Sequence, residues 1–328
     1  RESRDVDVPR AAAHFFYHAG WADKLEYAGL GTSPKPLGVA GQIIPWNFPL
    51  LMLAWKVAPA LATGNTVVLK PAESTSLTAL LFAEVCQQAE LPAGVVNIVT
   101  GDGSTGALIV NHPGIDKIAF TGSTEVGKII ARAVAPTKKS VTLELGGKAA
   151  NIVFDDAPID ETVEGIVNGI FFNQGHVCCA GSRLLLQENV AEEVLHKLKN
   201  RMEKIRVGDP MDKNTDVGAI NSKEQLAKIT ELAAAGDAEG AERWSSACTL
   251  PTKGFWFAPT IFTGVTQANR IAQEEIFGPV LSIIPLDTEE EAVRIANDTP
   301  YGLTNYVQSQ DVARRNRLAP RRCNGAVV

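Results

Sequence analysis

Two adjacent cysteines are the residues of this chain whose chemistry is most conspicuous. Cys178 and Cys179 lie in the segment FFNQGHVCCAGSR, residues 171–183, where small and polar residues surround the thiols. Such a segment is typical of a loop that lets a substrate approach closely. A thiolate is the strongest nucleophile that a side chain offers near neutral pH, so this loop is a candidate for covalent catalysis. The alternative interpretation is that both cysteines are small buried apolar residues.

A carboxylate and an amide elsewhere in the chain could assist a nucleophilic thiol. Glu144 lies within the apolar strand pattern VTLEL, where we expect it to be buried. A carboxylate in such a strand is costly unless it is paired or functional, so Glu144 is a candidate general base. Asn47 lies between Pro45 and Pro49 in a rigid apolar turn. Its side-chain amide could donate a hydrogen bond to a developing oxyanion.

Two segments are candidates for binding the phosphates of a nucleotide. Residues 101–106 match GxGxxG, but no acidic residue follows at the spacing of a dinucleotide site, so we interpret them as a glycine-rich turn. Residues 120–127, FTGSTEVG, lead directly from a predicted strand into a predicted helix. The N–H groups of that helix and the Ser123 hydroxyl could face an anion. An ordinary helix cap is the alternative.

Charged residues follow a second predicted strand. Lys70 ends the pattern TVVLK and Glu73 lies three residues further on, where the carboxylate could accept bonds from ribose hydroxyls and the lysine could donate to them. A surface ion pair is the alternative. A further conspicuous segment is EEIFGP, residues 274–279, in which an acidic pair precedes an aromatic residue and a rigid turn.

The elements that must position these residues alternate between strands and helices. Over residues 1–145, hydrophobic periodicity predicts short strands separated by helices, which indicates an open parallel sheet covered on both faces. The second half repeats this mixture less regularly. Gly146 and Gly147 follow a predicted strand and suggest a domain boundary. The sequence therefore predicts an α/β fold.

Composition restricts the classes of function. The 328 residues are 45% hydrophobic and 21% charged, with a net charge of −6, so we expect a packed core and no nucleic-acid partner. The five cysteines show no regular spacing and no CxxC pair, so neither a disulfide framework nor a metal site is predicted. No apolar run reaches membrane-spanning length, and no membrane partner is expected. A cytoplasmic location fits these features.

Six segments resemble motifs of the NAD(P)-dependent aldehyde dehydrogenases and stand in the same order. They are QIIPWNFP (42–49), KPAE (70–73), FTGSTEVG (120–127), LELGGK (143–148), NQGHVCCAGSR (173–183) and EEIFGP (274–279). Any one of these motifs alone is modest evidence, whereas a chance match of all six in this order is very improbable. The resemblance covers the chain from Val8 onward. It implies an α/β, aldehyde dehydrogenase-like fold with a Rossmann-type cofactor-binding domain plus an α/β catalytic domain.

The resemblance also implies a division of the chain and a set of roles. Residues 1–36 would form an N-terminal helix and a shortened oligomerisation hairpin, residues 37–145 the NAD-binding domain, and residues 146–328 the catalytic domain. Cys178 would be the catalytic thiol, with Glu144 as general base and Asn47 with the Cys178 N–H as the oxyanion hole. The residues implied in cofactor binding are Ile44, Pro45, Trp46, Lys70, Glu73, Gly122, Ser123, Leu145, Gly146, Glu275 and Phe277.

Among these residues, the family pattern implies contacts with particular parts of the cofactor. Lys70 and Glu73 would hold the adenosine ribose, and Ser123 with its helix the pyrophosphate. Glu275 would bind the nicotinamide ribose, and Phe277 would pack near the nicotinamide. A carboxylate repels the 2′-phosphate of NADP, so Glu73 favours NAD as the cofactor, with NADP as a weaker substitute.

The chain also departs from the family pattern. His176 stands where the family commonly has Gln; we expect it to line the loop rather than to form a papain-like pair with the cysteine. Residues 31–37 are shorter than the hairpin that bridges subunits in many members, which resembles the family-16 enzymes. We expect a homo-oligomer, with a dimer favoured. The chain starts at Arg1 and ends in a predicted strand at residues 325–328, so we expect a fragment lacking both ends.

The predicted function is the NAD-dependent oxidation of an aldehyde to the carboxylic acid through a cysteine thiohemiacetal and thioester. Two alternatives stay open. In a CoA-acylating dehydrogenase, CoA rather than water would resolve the thioester, which would leave the base Glu144 without a use. A non-catalytic scaffold of the same fold would have no need of Cys178, Glu144 and Asn47.

Overall fold

The computed structural model describes residues 1–29, 31, 34–321 and 325–327. These residues form two compact units, Arg1–Leu145 and Gly146–Val328. Each unit contains one sheet and its own hydrophobic clusters, so the predicted α/β class is confirmed. The predicted short connection at residues 31–37 falls partly outside the described residues.

The helices and strands have the following bounds. The helices are α1 Val8–Ala19, α2 Pro49–Ala62, α3 Ser76–Gln88, α4 Gly103–Asn111, α5 Thr124–Val134, α6 Ile159–Phe171, α7 Glu188–Met202, α8 Lys223–Ala238, α9 Arg270–Gln273, α10 Glu289–Asn297 and α11 Val312–Leu318. The strands are β1 Val39–Ile43, β2 Thr66–Lys70, β3 Val96–Ile98, β4 Lys117–Thr121, β5 Ser140–Glu144, β6 Ala150–Val153, β7 Arg183–Gln187, β8 Glu242–Ser245, β9 Thr260–Thr263, β10 Val280–Leu286, β11 Leu303–Gln308 and β12 Gly325–Val327.

The sheet of the first unit has five parallel strands in the order β3-β2-β1-β4-β5. Apolar runs such as VVL in β2 and IAF in β4 are typical of a parallel sheet with both faces covered. One hydrophobic cluster joins Leu53 of α2 to Leu69 of β2, and another joins Ile118 of β4 to Ile130 of α5. These clusters fix the helices against the sheet.

The strand order of the first unit reverses at β1, which lies between β2 and β4. Open parallel sheets bind ligands outside the carboxyl ends of their strands at such a reversal. Residues 44–47 follow β1, residues 71–73 follow β2, and residues 122–123 follow β4. The cofactor residues predicted for this unit therefore lie where the topology favours a ligand site.

The second unit contains a seven-stranded sheet in the order β12-β11-β6-β7-β10-β9-β8, in which β8 pairs with β9 in the antiparallel sense. The cysteine segment connects α6 to β7 near the middle of this sheet. Arg183, the first residue of β7, is fully buried, and its guanidinium donates to the carbonyls of Lys148, Ile295 and Ala296 at 2.9 Å each. These bonds tie β7 to the end of α10 and to the chain before β6.

Several sequence-based expectations differ from the structure. The sequence patterns do not predict β8, α9 and α11, because these elements are short and lack clear periodicity. The expectation that Glu144 is buried is wrong: β5 is the edge strand of its sheet, and the Glu144 side chain is exposed. The strand predicted at residues 325–328 is found as β12, and Val328 lies outside the described residues.

Among the residues described, no helix combines the length and the apolar character needed to cross a membrane. The same residues contain no group of three or more His, Cys, Asp or Glu side chains placed to hold a metal ion. Cys86, Cys178, Cys179 and Cys248 are free thiols, and Cys323 lies outside the described residues.

Candidate active site

The thiol loop, residues 172–182, begins with a left-handed turn. Asn173, Gln174 and Gly175, which begin two residues after the last residue of α6, adopt φ angles of 48°, 58° and 73°. This conformation is costly for residues that carry a Cβ, and a succession of such residues persists only where the surroundings hold it. Both cysteines follow the turn in half-buried positions. The turn therefore sets the direction of the chain as it enters the segment that carries the two cysteines.

Gly146 and Gly147 bring the Glu275 carboxylate and the backbone of Cys178 to the same turn. The N–H of Gly147 donates to Glu275 Oε1 at 2.9 Å. A Cβ on Gly146 would overlap the Glu275 carboxylate, and a Cβ on Gly147 would overlap the carbonyl oxygen of Cys178. Only glycine permits both approaches. The sequence marks these glycines as a boundary, and their packing role is not visible in it.

The two thiols hydrogen-bond to each other and titrate as a pair. The bond to Cys179, with burial and the charges of Cys179 and Glu275, raises the pKa of the Cys178 thiol. The same bond, with help from the Tyr306 hydroxyl, lowers the pKa of the Cys179 thiol to about 6, although burial opposes the shift. The Tyr306 hydroxyl also donates to the Cys179 carbonyl at 2.7 Å. The two thiols therefore share a proton through this bond, and the titration of each depends on the other.

His176 packs against Phe277 and is not a charged partner of the thiols. The two rings stack with centroids 5.7 Å apart and an interplanar angle of 27°. His176 is 2% exposed, and this burial lowers its pKa to about 4, so the imidazole is neutral at neutral pH. Phe277 has a φ of 55°, which is unusual for a bulky residue. The stack thus joins two constrained backbone segments.

In the first unit, Lys70 at the end of β2 forms an ion pair with Glu73. Lys70 Nζ donates to Glu73 Oε1 and to the Pro71 carbonyl at 3.1 Å each. The Lys70 side chain is buried, whereas the Glu73 side chain is 58% exposed. The carboxylate is therefore accessible to a ligand hydroxyl, and the lysine holds it in place.

Residues 122–123 form the entry to α5. The N–H of Gly122 donates to the Glu144 carbonyl at 3.0 Å, which joins this turn to the end of β5. Ser123 caps the helix, because its Oγ accepts the Val126 N–H at 3.3 Å, and its own hydroxyl hydrogen remains for a ligand. A helix N-terminus with such a hydroxyl fits a phosphate group.

Residues 101–106 form a different kind of turn. Asp102 Oδ1 accepts the Ser104 N–H at 2.8 Å and so caps α4 with the protein's own carboxylate. The cap places a negative charge where a phosphate would otherwise bind, which agrees with the interpretation of a glycine-rich turn.

Asn47 lies in the turn between β1 and α2, and a distant carboxylate caps the helix that follows this turn. Asp7, which is 6% exposed, accepts the N–H groups of Leu50 and Leu51 at 3.2 and 3.0 Å. These groups belong to the first turn of α2 and have no partner within the helix. Sequence reasoning missed Asp7, because nothing local connects it to a helix more than 40 residues away.

Lys56 is a second residue that sequence reasoning missed. Its ammonium donates to Thr121 Oγ1 at 2.7 Å, and Thr121 pairs with Glu144 across β4 and β5. Burial lowers the pKa of Lys56 to about 8, while the Glu144 carboxylate opposes that shift. The available signal was a lone lysine within the apolar helix PLLMLAWKVAPALA.

Each unit thus carries its own set of predicted site residues. The first unit contains Ile44, Pro45, Trp46, Asn47, Lys70, Glu73, Gly122, Ser123, Glu144 and Leu145, and the second contains Gly146, Cys178, Glu275 and Phe277. The roles assigned to them remain predictions.

Comparison with known proteins gives a consistent result. The whole chain, residues 1–328, matches the model described as the aldehyde dehydrogenase family. The chain is 48% identical over 317 residues to retinal dehydrogenase 2 of Homo sapiens, which covers 94% of this chain and 61% of that protein. It is 47% identical over 317 residues to an aldehyde dehydrogenase of Emericella nidulans, with 94% and 64% covered. The chain therefore spans less than two thirds of the length of these curated relatives.

The fold is similar to that of the aldehyde dehydrogenase from Bacillus cereus in its NAD+ complex. The TM-score is 0.94 at 40% sequence identity, and the match covers 99% of this chain and 68% of that chain. This likeness confirms the predicted architecture.

Proposed function

Because the chain belongs to the aldehyde dehydrogenase family, we propose that it oxidises an aldehyde to the carboxylic acid with NAD as electron acceptor. The observation that carries this proposal is the turn of Gly146 and Gly147. In this turn the Gly147 N–H donates to the Glu275 carboxylate, and the Cys178 carbonyl oxygen lies close to Gly147. This carboxylate can accept hydrogen bonds from the ribose hydroxyls of a cofactor, and the thiol beside it can hold a substrate covalently. The turn would therefore bring the cofactor and the substrate together.

The chain offers polar groups for both riboses and for the pyrophosphate of NAD. Glu73 would accept from the 2′-hydroxyl of the adenosine ribose, and Lys70 would donate to the neighbouring hydroxyl. The entry to α5 with Ser123 would bind the pyrophosphate, and Glu275 the nicotinamide ribose. When bound, NAD supplies the acceptor for the hydride that leaves the substrate carbon.

Cys178 is the proposed nucleophile because it stands third after Gly175, as in the family motif. When the proton shared by the two thiols lies on Cys179, the Cys178 thiolate adds to the aldehyde carbon to give a thiohemiacetal, and loss of hydride from that carbon leaves a thioester. The Asn47 amide and the Cys178 N–H would stabilise the oxyanion of the first step. Asp7 supports this step indirectly, because it caps the helix that directly follows the turn carrying Asn47.

Glu144 is the proposed base that activates water against the thioester. Its exposure gives water access to the carboxylate. Lys56, whose ammonium donates to the hydroxyl of Thr121, the strand neighbour of Glu144, places a positive charge near this carboxylate. Lys56 loses that charge as the pH rises through about 8.

One assay separates this proposal from its alternatives. The protein is incubated with NAD and a panel of aldehydes while NADH absorbance is followed, with and without CoA. Turnover without CoA supports the proposed hydrolytic reaction. Turnover that requires CoA, with acyl-CoA as the product, would indicate an acylating dehydrogenase, and no NADH with any aldehyde would indicate a scaffold.

A further inference from the structure

Two constrained segments of the second unit lie side by side. One is the left-handed turn that opens the thiol loop, and the other is the Phe277 turn, residues 275–279. A Cβ on Gly175 would overlap the carbonyl of Gly278, so the two backbones are in direct contact. Residues with a Cβ hold positive φ angles only where neighbouring groups fix them. Side chains from neighbouring segments must therefore fix both turns.

A glutamine fixes each of these segments to the same stretch of chain. Gln174 Oε1, in the left-handed turn, accepts the N–H of Gly218 at 2.9 Å. Gln225 Nε2 donates to the carbonyls of Ile276 and Phe277 at 3.1 and 2.9 Å. All three bonds join these segments to residues 218–225, which run into the first turn of α8.

Residues 218–225 are themselves held firmly. Ser222 caps α8 by accepting the Gln225 N–H at 3.1 Å, and the N–H of Ile220 donates to the Phe255 carbonyl at 2.8 Å. One helical turn further on, Ile229 is fully buried, and a Cβ on Gly278 would overlap it. The stretch therefore has the anchoring that a positioning element needs.

We propose that residues 218–225 form a brace that sets the position of Cys178 relative to Phe277, with Gln174 and Gln225 as its two positioning residues. The inference rests on the proposed function, in which Cys178 carries the substrate and Phe277 packs near the nicotinamide. The distance over which hydride moves then depends on the brace, because a displacement of about 1 Å can cost about a hundredfold in rate. Neither glutamine touches a reacting atom in this scheme.

The test uses size-matched variants in the full-length protein. Gln174→Met and Gln225→Met remove the brace bonds, whereas Gln174→Glu keeps an acceptor for the Gly218 N–H. Gln310→Met, at an exposed glutamine of the same unit, is the matched control. The readouts are the NADH burst with its isotope effect for a C1-deuterated aldehyde, and the rate at which iodoacetamide alkylates Cys178 without cofactor.

Each Met variant is expected to slow the burst by about three- to thirtyfold, the worth of one or two lost hydrogen bonds, and to raise the isotope effect. Gln225→Met should also change Cys178 alkylation at least threefold, although Gln225 has no bond to the thiol loop. The double variant should lose less than the product of the single losses, because either break releases the brace. Gln174→Glu and Gln310→Met should stay within twofold of wild type.

The proposal is overturned if Gln225→Met leaves Cys178 alkylation unchanged, or if the two Met effects multiply. A lower melting temperature with unchanged isotope effect and alkylation would indicate a merely structural role and would overturn it as well. If the wild type forms no NADH, the proposed function fails, while the alkylation rates still decide whether the brace exists.

Discussion

Replacing Gly147 with alanine perturbs the close approach between Gly147 and the carbonyl oxygen of Cys178. The new Cβ would lie more than 1 Å inside the 3.4 Å at which ordinary contact with the Cys178 carbonyl oxygen begins. That oxygen belongs to the backbone and cannot rotate away, so the thiol loop must move by about 1 Å. A displacement of this size costs about a hundredfold in rate when it separates reacting atoms. Overpacking costs about 1–3 kcal/mol of stability.

Two other glycines provide controls for the Gly147→Ala prediction. A Cβ on Gly146 would meet the end of the Glu275 side chain, which can rotate. Gly146→Ala should therefore raise the KM for NAD more than it lowers kcat. Gly165 lies within α6, and a Cβ there would meet nothing within 4 Å. Gly165→Ala should leave kcat unchanged and stabilise the helix by about 1 kcal/mol.

The assay combines steady-state NADH formation with thermal unfolding of the same samples. Gly147→Ala should lower kcat about a hundredfold while its melting temperature falls by about 2–10 °C. A Gly147→Ala protein whose kcat stays within threefold of wild type would refute the reasoning, because the thiol loop would then tolerate displacement. A Gly147→Ala protein that loses no more of its kcat than Gly165→Ala does would also refute the reasoning.

Three further predictions concern single side chains. Cys178→Ala should abolish NADH formation, whereas Cys179→Ala should keep most of it. Because Cys179 raises the pKa of Cys178, the acidic limb of the kcat/KM profile of Cys179→Ala should lie at lower pH than that of wild type. A shift of that limb to higher pH would contradict the pairing of the two thiols. Glu144→Gln should show an NADH burst followed by turnover slowed about 10²–10⁴-fold, and wild-type turnover would remove Glu144 from the mechanism. Wild type should prefer NAD to NADP by about ten- to a hundredfold in kcat/KM, and Glu73→Ser should narrow that ratio; an unchanged ratio would show that Glu73 does not select the cofactor.

Much of the fold could be predicted because its signals are local. Apolar runs such as TVVLK and KIAFT have the pattern of buried parallel strands, and both are strands of the first sheet. The helix that begins after Ser123 is predicted from a strand that leads directly into it, with a helix cap as the alternative to an anion site at Ser123, and the Ser123 Oγ does accept a helix N–H. Such features depend on a few neighbouring residues, so the sequence specifies them.

The rest depends on contacts between segments far apart in the chain. Glu144 was expected to be buried because its neighbours are apolar, but burial depends on strand position, and β5 lies at an edge. The Asp7 cap of α2 and the bond from Gly147 to Glu275 each join segments more than 40 residues apart. The left-handed conformation of Gln174 has no sequence signal, because that residue type rarely adopts it.

The most direct test of the proposed mechanism is to locate the acyl group on the enzyme. The Glu144→Gln variant is incubated with NAD and an aldehyde, quenched in acid and digested with trypsin. The peptide of residues 149–183, which contains both thiols, is then sequenced by tandem mass spectrometry. We predict one acyl group on Cys178 that forms only when NAD is present. An acyl group on Cys179, or none on either cysteine despite NADH formation, would contradict the account.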